Sequence, residues 1–269
     1  MMKDPFRTRD HVPEFDALVE EYRQRSTATR STLPMKAGIA YGDGGSQTLD
    51  LFIPSRMEDG APVHLFIHGG YWRMFAKEDF SFVADTVTAC GAIAAVMDYD
   101  LMPGVRMDTI VVQVRRAVDW LAHNIARHGG DPARLSVSGH SAGGHLGCFT
   151  LAVGSPVKAA FLLSGLYDLK PLQASFLAPL IGITDEEAAT LSPLKLKQSV
   201  ASQVIIATGA HETPPFHAQA SAFRAHLAGQ GVDVAAVLLP GLNHMSAMRD
   251  LGMPDSSTGT LLRRLILST

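Results

Sequence analysis

Leu135-Ser136-Val137-Ser138-Gly139-His140-Ser141-Ala142-Gly143 is the stretch that decides the fold. Leu135 to Ser138 reads as a short buried strand, and Ala142 to Val153 reads as a helix. A serine between two glycines at a strand-to-helix junction is a sharp turn that exposes a nucleophile. The glycines have a physical task there. The turn is so tight that side chains at Gly139 and Gly143 would collide with neighbouring backbone. Ser141 is thereby pushed out of the sheet, at the N-terminus of the next helix. That helix end favours the negative charge that develops in acyl transfer. The five-residue pattern alone is weak, arising by chance in roughly one chain in ten of this length. Its position between strand and helix gives it specificity.

Outward from this turn, apolar runs repeat and each ends at a turn residue. Leu65-Phe66-Ile67 ends at His68-Gly69-Gly70, and Ala92 to Met97 ends at Asp98. Ala159 to Leu163 ends at Ser164-Gly165, Val204 to Thr208 at Gly209, and Val234 to Leu239 at Pro240-Gly241. Runs this uniformly apolar suit strands buried on both faces. Helical periodicity fills the gaps: Ile110, Val114, Ala117, Val118, Leu121 and Ile125 share one face, and Phe216 to Ala228 and Ser257 to Leu267 read as helices. Alternating strands and helices imply a parallel sheet covered on both sides. Ala37 to Tyr41 and Thr48 to Ile53 alternate in polarity and suggest an antiparallel edge hairpin. The first thirty-odd residues read as an arm or helix packed on the domain. Leu166 to Ser199 is too long for a plain connection. With Pro171, Pro179, Pro193 and the acidic Asp185-Glu186-Glu187, it reads as a lid insertion over the sheet's C-terminal edge in a single domain spanning 1–269.

Composition narrows the function. The 269 residues are 46% hydrophobic and 18% charged, which allows a large core and excludes a disordered chain. A net charge of -3 with dispersed Lys and Arg argues against nucleic acid as a partner. Cys90 and Cys148 sit in apolar stretches and read as free thiols. Met1-Met2-Lys3-Asp4-Pro5 begins a polar segment without a signal-peptide core, and no run reaches membrane-spanning length. A cytoplasmic protein with a small-molecule substrate and no membrane partner is the expectation, with a homodimer left open. No metal-ligand pattern such as H-E-x-x-H is present, so no metal or cofactor is expected.

The rest of a catalytic site follows from chain order. In hydrolases built on such a turn the order is nucleophile, acid, base. Among eleven histidines, His244 follows the last strand and a glycine turn, so it is the candidate base, in a loop. His145, His217 and His226 fall in helices, and His211 follows too early a strand. Glu212 is the first carboxylate after the preceding strand and is the candidate acid; Asp168 and Asp233 are its rivals. His68-Gly69-Gly70-Tyr71-Trp72 closes an earlier strand. Its backbone N–H groups at Gly69, Gly70 and Tyr71, with that of Ala142, are the candidate oxyanion hole, and His68 reads as a brace for that loop. Tyr71, Trp72 and Phe216 are candidate aromatic walls of the substrate pocket.

At these residues the chain resembles the kynurenine formamidase (arylformamidase) branch of the α/β hydrolases. The resemblance rests on His68-Gly69-Gly70-Tyr71-Trp72 and Gly139-His140-Ser141-Ala142-Gly143-Gly144-His145. Tyr167-Asp168-Leu169, Ser192-Pro193-Leu194 and Gly209-Ala210-His211-Glu212 add to it, so it covers about Tyr41 to His244. Esterase relatives more often have a third glycine where Tyr71 stands and Asp where His140 stands. The family acid is often Asp, so Glu212 departs mildly. The resemblance implies an α/β-hydrolase fold, with a mostly parallel eight-stranded sheet flanked by helices. It also implies a serine hydrolase that cleaves an aryl formamide through an acyl-enzyme. A carboxylesterase acting on short-chain or aryl esters would use the same residues. A non-catalytic ligand-binding member would usually have lost one of them, and this chain keeps Ser141, His244 and an available carboxylate.

Overall fold

The apolar runs form one sheet. The computed structural model describes residues 3–199 and 202–269; Met1 and Met2, part of the N-terminal reading above, and Val200 and Ala201, within the 1–269 domain, lie outside it. The strands are β1 (Met35–Ala40), β2 (Thr48–Phe52), β3 (Ala61–Ile67), β4 (Ile93–Met97), β5 (Gly130–His140), β6 (Val157–Leu163), β7 (Gln203–Gly209) and β8 (Asp233–Leu239). The helices are α1 (Phe15–Thr32), α2 (Val83–Thr88), α3 (Met107–Asn124), α4 (Ala142–Cys148), α5 (Ala178–Ile181), α6 (Asp185–Thr190), α7 (Pro214–Gly229), α8 (His244–Leu251) and α9 (Ser257–Leu267).

Among the described residues the sheet has eight strands in the order β1-β2-β4-β3-β5-β6-β7-β8. β1 and β2 form the expected antiparallel hairpin at one edge, β2 runs antiparallel to β4, and the remaining pairs are parallel. This is the covered parallel sheet that the alternation implies and the α/β-hydrolase architecture that the resemblance implies. β3, β4 and most of β6 are buried throughout, because helices cover both faces. One layer of core joins the sheet to α3, α4 and α7, through residues such as Ile110, Leu146 and Phe223. The opposite layer joins it to α1, α2, α8 and α9, through Tyr22, Val83, Met248 and Leu262. Burying each such side chain contributes about 1.5–3 kcal/mol.

Three local readings change. The helix after Ser141 stops at Cys148 rather than Val153; Gly143, Gly144 and Gly147 are weak helix formers, and it is a short turn of helix. β8, read as buried on both faces, is the edge strand, and Ala235, Ala236 and Leu238 are exposed. His244 is the first residue of α8 rather than part of a loop, and the Asn243 side chain accepts from the N–H groups of Met245 and Ser246 to cap that helix.

The strand register fixes the site. Ile67 of β3 lies opposite Gly139 of β5, His140 opposite Leu163 of β6, and Gly209 of β7 opposite Leu239 of β8. The loops that follow these three parallel pairings all leave from one edge, the C-terminal edge where open α/β sheets bind ligands. The region between β6 and β7 is tied down by Arg106, whose guanidinium pairs with Glu187 and donates to the carbonyls of Ile181 and Gly182. No helix among the described residues is long and apolar enough to cross a membrane.

The buried histidines make stability depend on pH. The His64 ring sits between Ser136 Oγ at 2.8 Å and Ser138 Oγ at 2.6 Å, and burial pushes its pKa down to about 3. Burial takes His145 down to about 4. In the unfolded chain both would titrate near about 6.5. The unfolded state therefore binds more protons below that pH. Stability is complete above about pH 6.5 and falls, as pH drops towards 4, by about 1.4 kcal/mol per pH unit for each histidine. The urea midpoint should drop steadily between pH 7 and pH 4.5. A midpoint constant over that range would contradict the burial of these rings as neutral species.

Candidate active site

Ser141 has φ +56° and ψ −119°, a left-handed backbone that a non-glycine residue adopts at a cost of roughly 1–3 kcal/mol. Close packing on both sides holds it there. A Cβ on Gly139 would stand 2.1 Å from the Gly143 carbonyl oxygen, and one on Gly143 would stand 2.0 Å from that of Ile67. The serine N–H donates to Leu163 O, which ties the turn to β6. Ser141 lines a cavity that it shares with His244, Gly70, Tyr71 and His140.

Glu212 and His244 meet at the ends of β7 and β8. Glu212 Oε2 lies 2.8 Å from His244 Nδ1, and the carboxylate side chain is fully buried. Its other oxygen, Oε1, accepts from the Gly209 N–H at 2.7 Å and from Ser164 Oγ at 2.5 Å. The carboxylate is thus fixed at both ends, and the bond to Nδ1 leaves Nε2 of the ring for Ser141. Ser141 Oγ itself has no hydrogen-bond partner among the described residues; such contacts tighten when a substrate fills the site. The rivals are elsewhere. Asp168 accepts from the Lys170 N–H in a local turn, and Asp233 begins β8, at the far end of the strand from His244.

His140, the residue before the serine, was assigned no role by its sequence position. Its Nε2 donates to the His244 carbonyl at 3.0 Å, and the two rings are 4.5 Å apart. Burial and the adjacent His244 push its pKa well below the ordinary value, so it remains a neutral donor. Ser164 was also missed, and the only hint was the Ser164-Gly165 turn closing β6. Phe216 packs on the other side of His244, with ring centroids 4.7 Å apart.

The His68–Trp72 loop is held by its side chains. Gly70, Tyr71 and Trp72 all have positive φ. Gly69 lies flush against the serine turn; a Cβ there would stand 3.2 Å from Ser141 Cβ. None of the N–H groups of Gly69, Gly70, Tyr71 and Ala142 is engaged by another acceptor among the described residues. Gly70 and Tyr71 line the Ser141 cavity. The His68 ring stacks between Tyr99 and Phe80, and its Nδ1 donates to Gly69 O at 2.8 Å, as a brace would.

Two aromatic residues expected to wall the pocket do otherwise. Trp72 is wholly buried, and its Nε1 donates to His145 Nδ1 at 3.1 Å, while His145 Nε2 donates to Leu191 O. It anchors the loop from behind. Phe216 lines a second cavity on the Glu212 side of His244. Tyr71 does line the Ser141 cavity, but its hydroxyl is spent on the N-terminal segment. It accepts from the Thr8 N–H at 3.0 Å and lies 2.9 Å from Thr8 Oγ1 and 3.1 Å from Phe6 O. The remaining walls come from α1 and the stretch around it, including Phe15 and Tyr22, together with Phe75, Phe80 and Met245. Neither cavity is lined by residues 166–199, the segment read as the lid.

Residues 49–158 match the BD-FAE family. The chain is 29% identical to the kynurenine formamidase of Salmo salar over 271 aligned residues, covering 96% of this chain and 90% of that protein. It superposes on a candidate thioesterase of Silicibacter sp. TM1040 with a TM-score of 0.86 at 25% identity, covering 98% of each chain. A Pyrobaculum calidifontis esterase shares the fold, with a TM-score of 0.78 at 19% identity and coverage of 94% and 93%. The chain has the α/β-hydrolase fold and is similar over nearly its whole length to kynurenine formamidases.

Proposed function

We propose that this protein is a serine hydrolase that cleaves a small amide or ester through an acyl-enzyme on Ser141, with N-aryl formamides as its preferred substrates. The observation that carries the reading is the 2.8 Å contact of Glu212 with Nδ1 of His244, the residue that lines the same cavity as Ser141. With Nδ1 protonated and held by Glu212, Nε2 is the basic nitrogen. It takes the Ser141 proton as Oγ attacks the substrate carbonyl carbon. The oxyanion is received by the free N–H groups of Gly70, Tyr71 and Ala142; each such donor is worth about 2.7–4 kcal/mol in comparable sites. His244 then protonates the leaving amine or alcohol, and water attacks the acyl-enzyme by the reverse route.

Three features favour a formamide. A formyl group asks for almost no room beside Ser141. The cavity walls at Phe15, Tyr71, Phe75 and Phe80 suit an aryl leaving group. The Salmo salar relative that aligns over nearly its whole length is a kynurenine formamidase. Carboxylester hydrolysis is the second reading, favoured by the absence of any contact in the triad geometry that distinguishes a leaving amine from an alcohol. Rates on N-formylkynurenine and formanilide, measured beside a p-nitrophenyl ester series, test the choice. We expect a formamide to exceed the best ester in kcat/KM by about tenfold or more. Rapid ester turnover with inert formamides would make the protein a carboxylesterase.

A further inference from the structure

The N-terminal segment lines both cavities beside His244, and it is fastened to three separate loops. Asp4 accepts from the Phe176 N–H in the insertion. Thr213, next to Glu212, donates through Oγ1 to Pro5 O at 2.6 Å. Phe6 O and Thr8 meet the Tyr71 hydroxyl of the oxyanion loop. The His11 ring donates to Asp4 O at 2.9 Å and so closes the segment on itself. Phe6 also packs edge-on against Phe216, with centroids 6.2 Å apart, and Phe216 backs the His244 ring. Two cavities flank His244, one on the Ser141 side and one on the Glu212 side. Thr8 and His244 line both, so Thr8 stands in the partition between them.

We propose that residues 4–12 are the specificity-determining element of this enzyme. They form a fixed partition at Thr8 that limits substrates to short acyl groups. The inference rests on the reading of Ser141 as nucleophile. A longer chain entering beside Ser141 meets Thr8 and the segment behind it. It cannot reach the second cavity unless that segment is released from its anchors. Each methylene admitted or refused by such a wall changes discrimination by about tenfold or more. Because the anchors belong to three different loops, loosening two of them frees the partition without touching Ser141, His244 or Glu212.

The test uses the full chain in three forms: wild type, Thr8→Gly, and the double variant Asp4→Ala/Thr213→Val. Hydrolysis of p-nitrophenyl acetate and p-nitrophenyl octanoate gives one ratio of kcat/KM. Binding of acetophenone and octanophenone, ketones that cannot be hydrolysed, gives a second ratio that needs no turnover. Both octanoyl-to-acetyl ratios should rise by about tenfold or more in each variant whose circular dichroism matches wild type. Ratios within about twofold of wild type in the folded variants would overturn the partition. If wild type hydrolysed neither these esters nor formanilide, the hydrolase reading would fail, and the ketone ratios alone would still decide whether residues 4–12 set the size limit.

Discussion

Ser141→Ala is expected to lower kcat by on the order of 10⁴-fold or more and to abolish labelling by a fluorophosphonate. The hydroxyl is the only part of the residue removed. The strained backbone at φ +56°, the Leu163 tether and the flanking glycines all remain, so the fold should persist. What survives is the catalysis that the oxyanion N–H groups and binding can supply without a covalent step. The measurement is labelling followed by intact mass, beside turnover of the best substrate. A folded alanine variant that still labels, or that keeps more than about a tenth of the rate, would place the nucleophile elsewhere.

Glu212→Gln should lower kcat by about 10³- to 10⁴-fold while leaving the fold intact. The two oxygens of Glu212 have distinct partners, and this makes the effect directional. Oε1 accepts from the Gly209 N–H and Ser164 Oγ, whereas Oε2 faces His244 Nδ1. A glutamine keeps its carbonyl towards Gly209 and turns its NH₂ to Nδ1. The ring must then accept at Nδ1 and carry its proton on Nε2, the nitrogen that has to take the proton of Ser141. The imidazolium formed during attack also loses its buried counter-charge. Asp168→Asn, which disturbs only a local turn with Lys170, should change kcat by less than about threefold. Equal losses for the two variants would mean that the Glu212 contact is structural.

The legible parts of this protein are those whose physics is local. The serine turn needs its two glycines because backbone packs within about 2 Å of where their Cβ atoms would sit, and that demand is written in Gly139 and Gly143. Chain order pointed to Glu212 and His244 because parallel strands deliver successive loops to one edge, and the structure brings those two side chains together. The illegible parts depend on distant pairings. Nothing near Ser164 or His140 in the chain announces a partner 48 or 104 residues away. Trp72 looked like a pocket wall because an aromatic residue beside an oxyanion loop has either fate; its partner His145 lies 73 residues further on. The insertion between β6 and β7 looked like the lid on grounds of length, yet the cavity walls come from Thr8, Phe15 and Tyr22. Those residues sit in a polar, weakly periodic stretch, and the contacts that bring them to the site, Thr8 with Tyr71 and Tyr22 with Met245, span 63 and 223 residues. β8 was misread as buried because small apolar residues look alike at a sheet edge and in its centre.

The central claim is a covalent intermediate on Ser141, and trapping it is the most direct test. Wild-type enzyme turning over p-nitrophenyl acetate would be quenched in acid within the first turnovers, digested and sequenced by mass spectrometry. The account predicts acetyl transiently on the peptide carrying Ser141, accumulating in Glu212→Gln and absent from Ser141→Ala. Turnover that proceeds with no acetylated peptide at any time, or with acetyl on a residue other than Ser141, would contradict it.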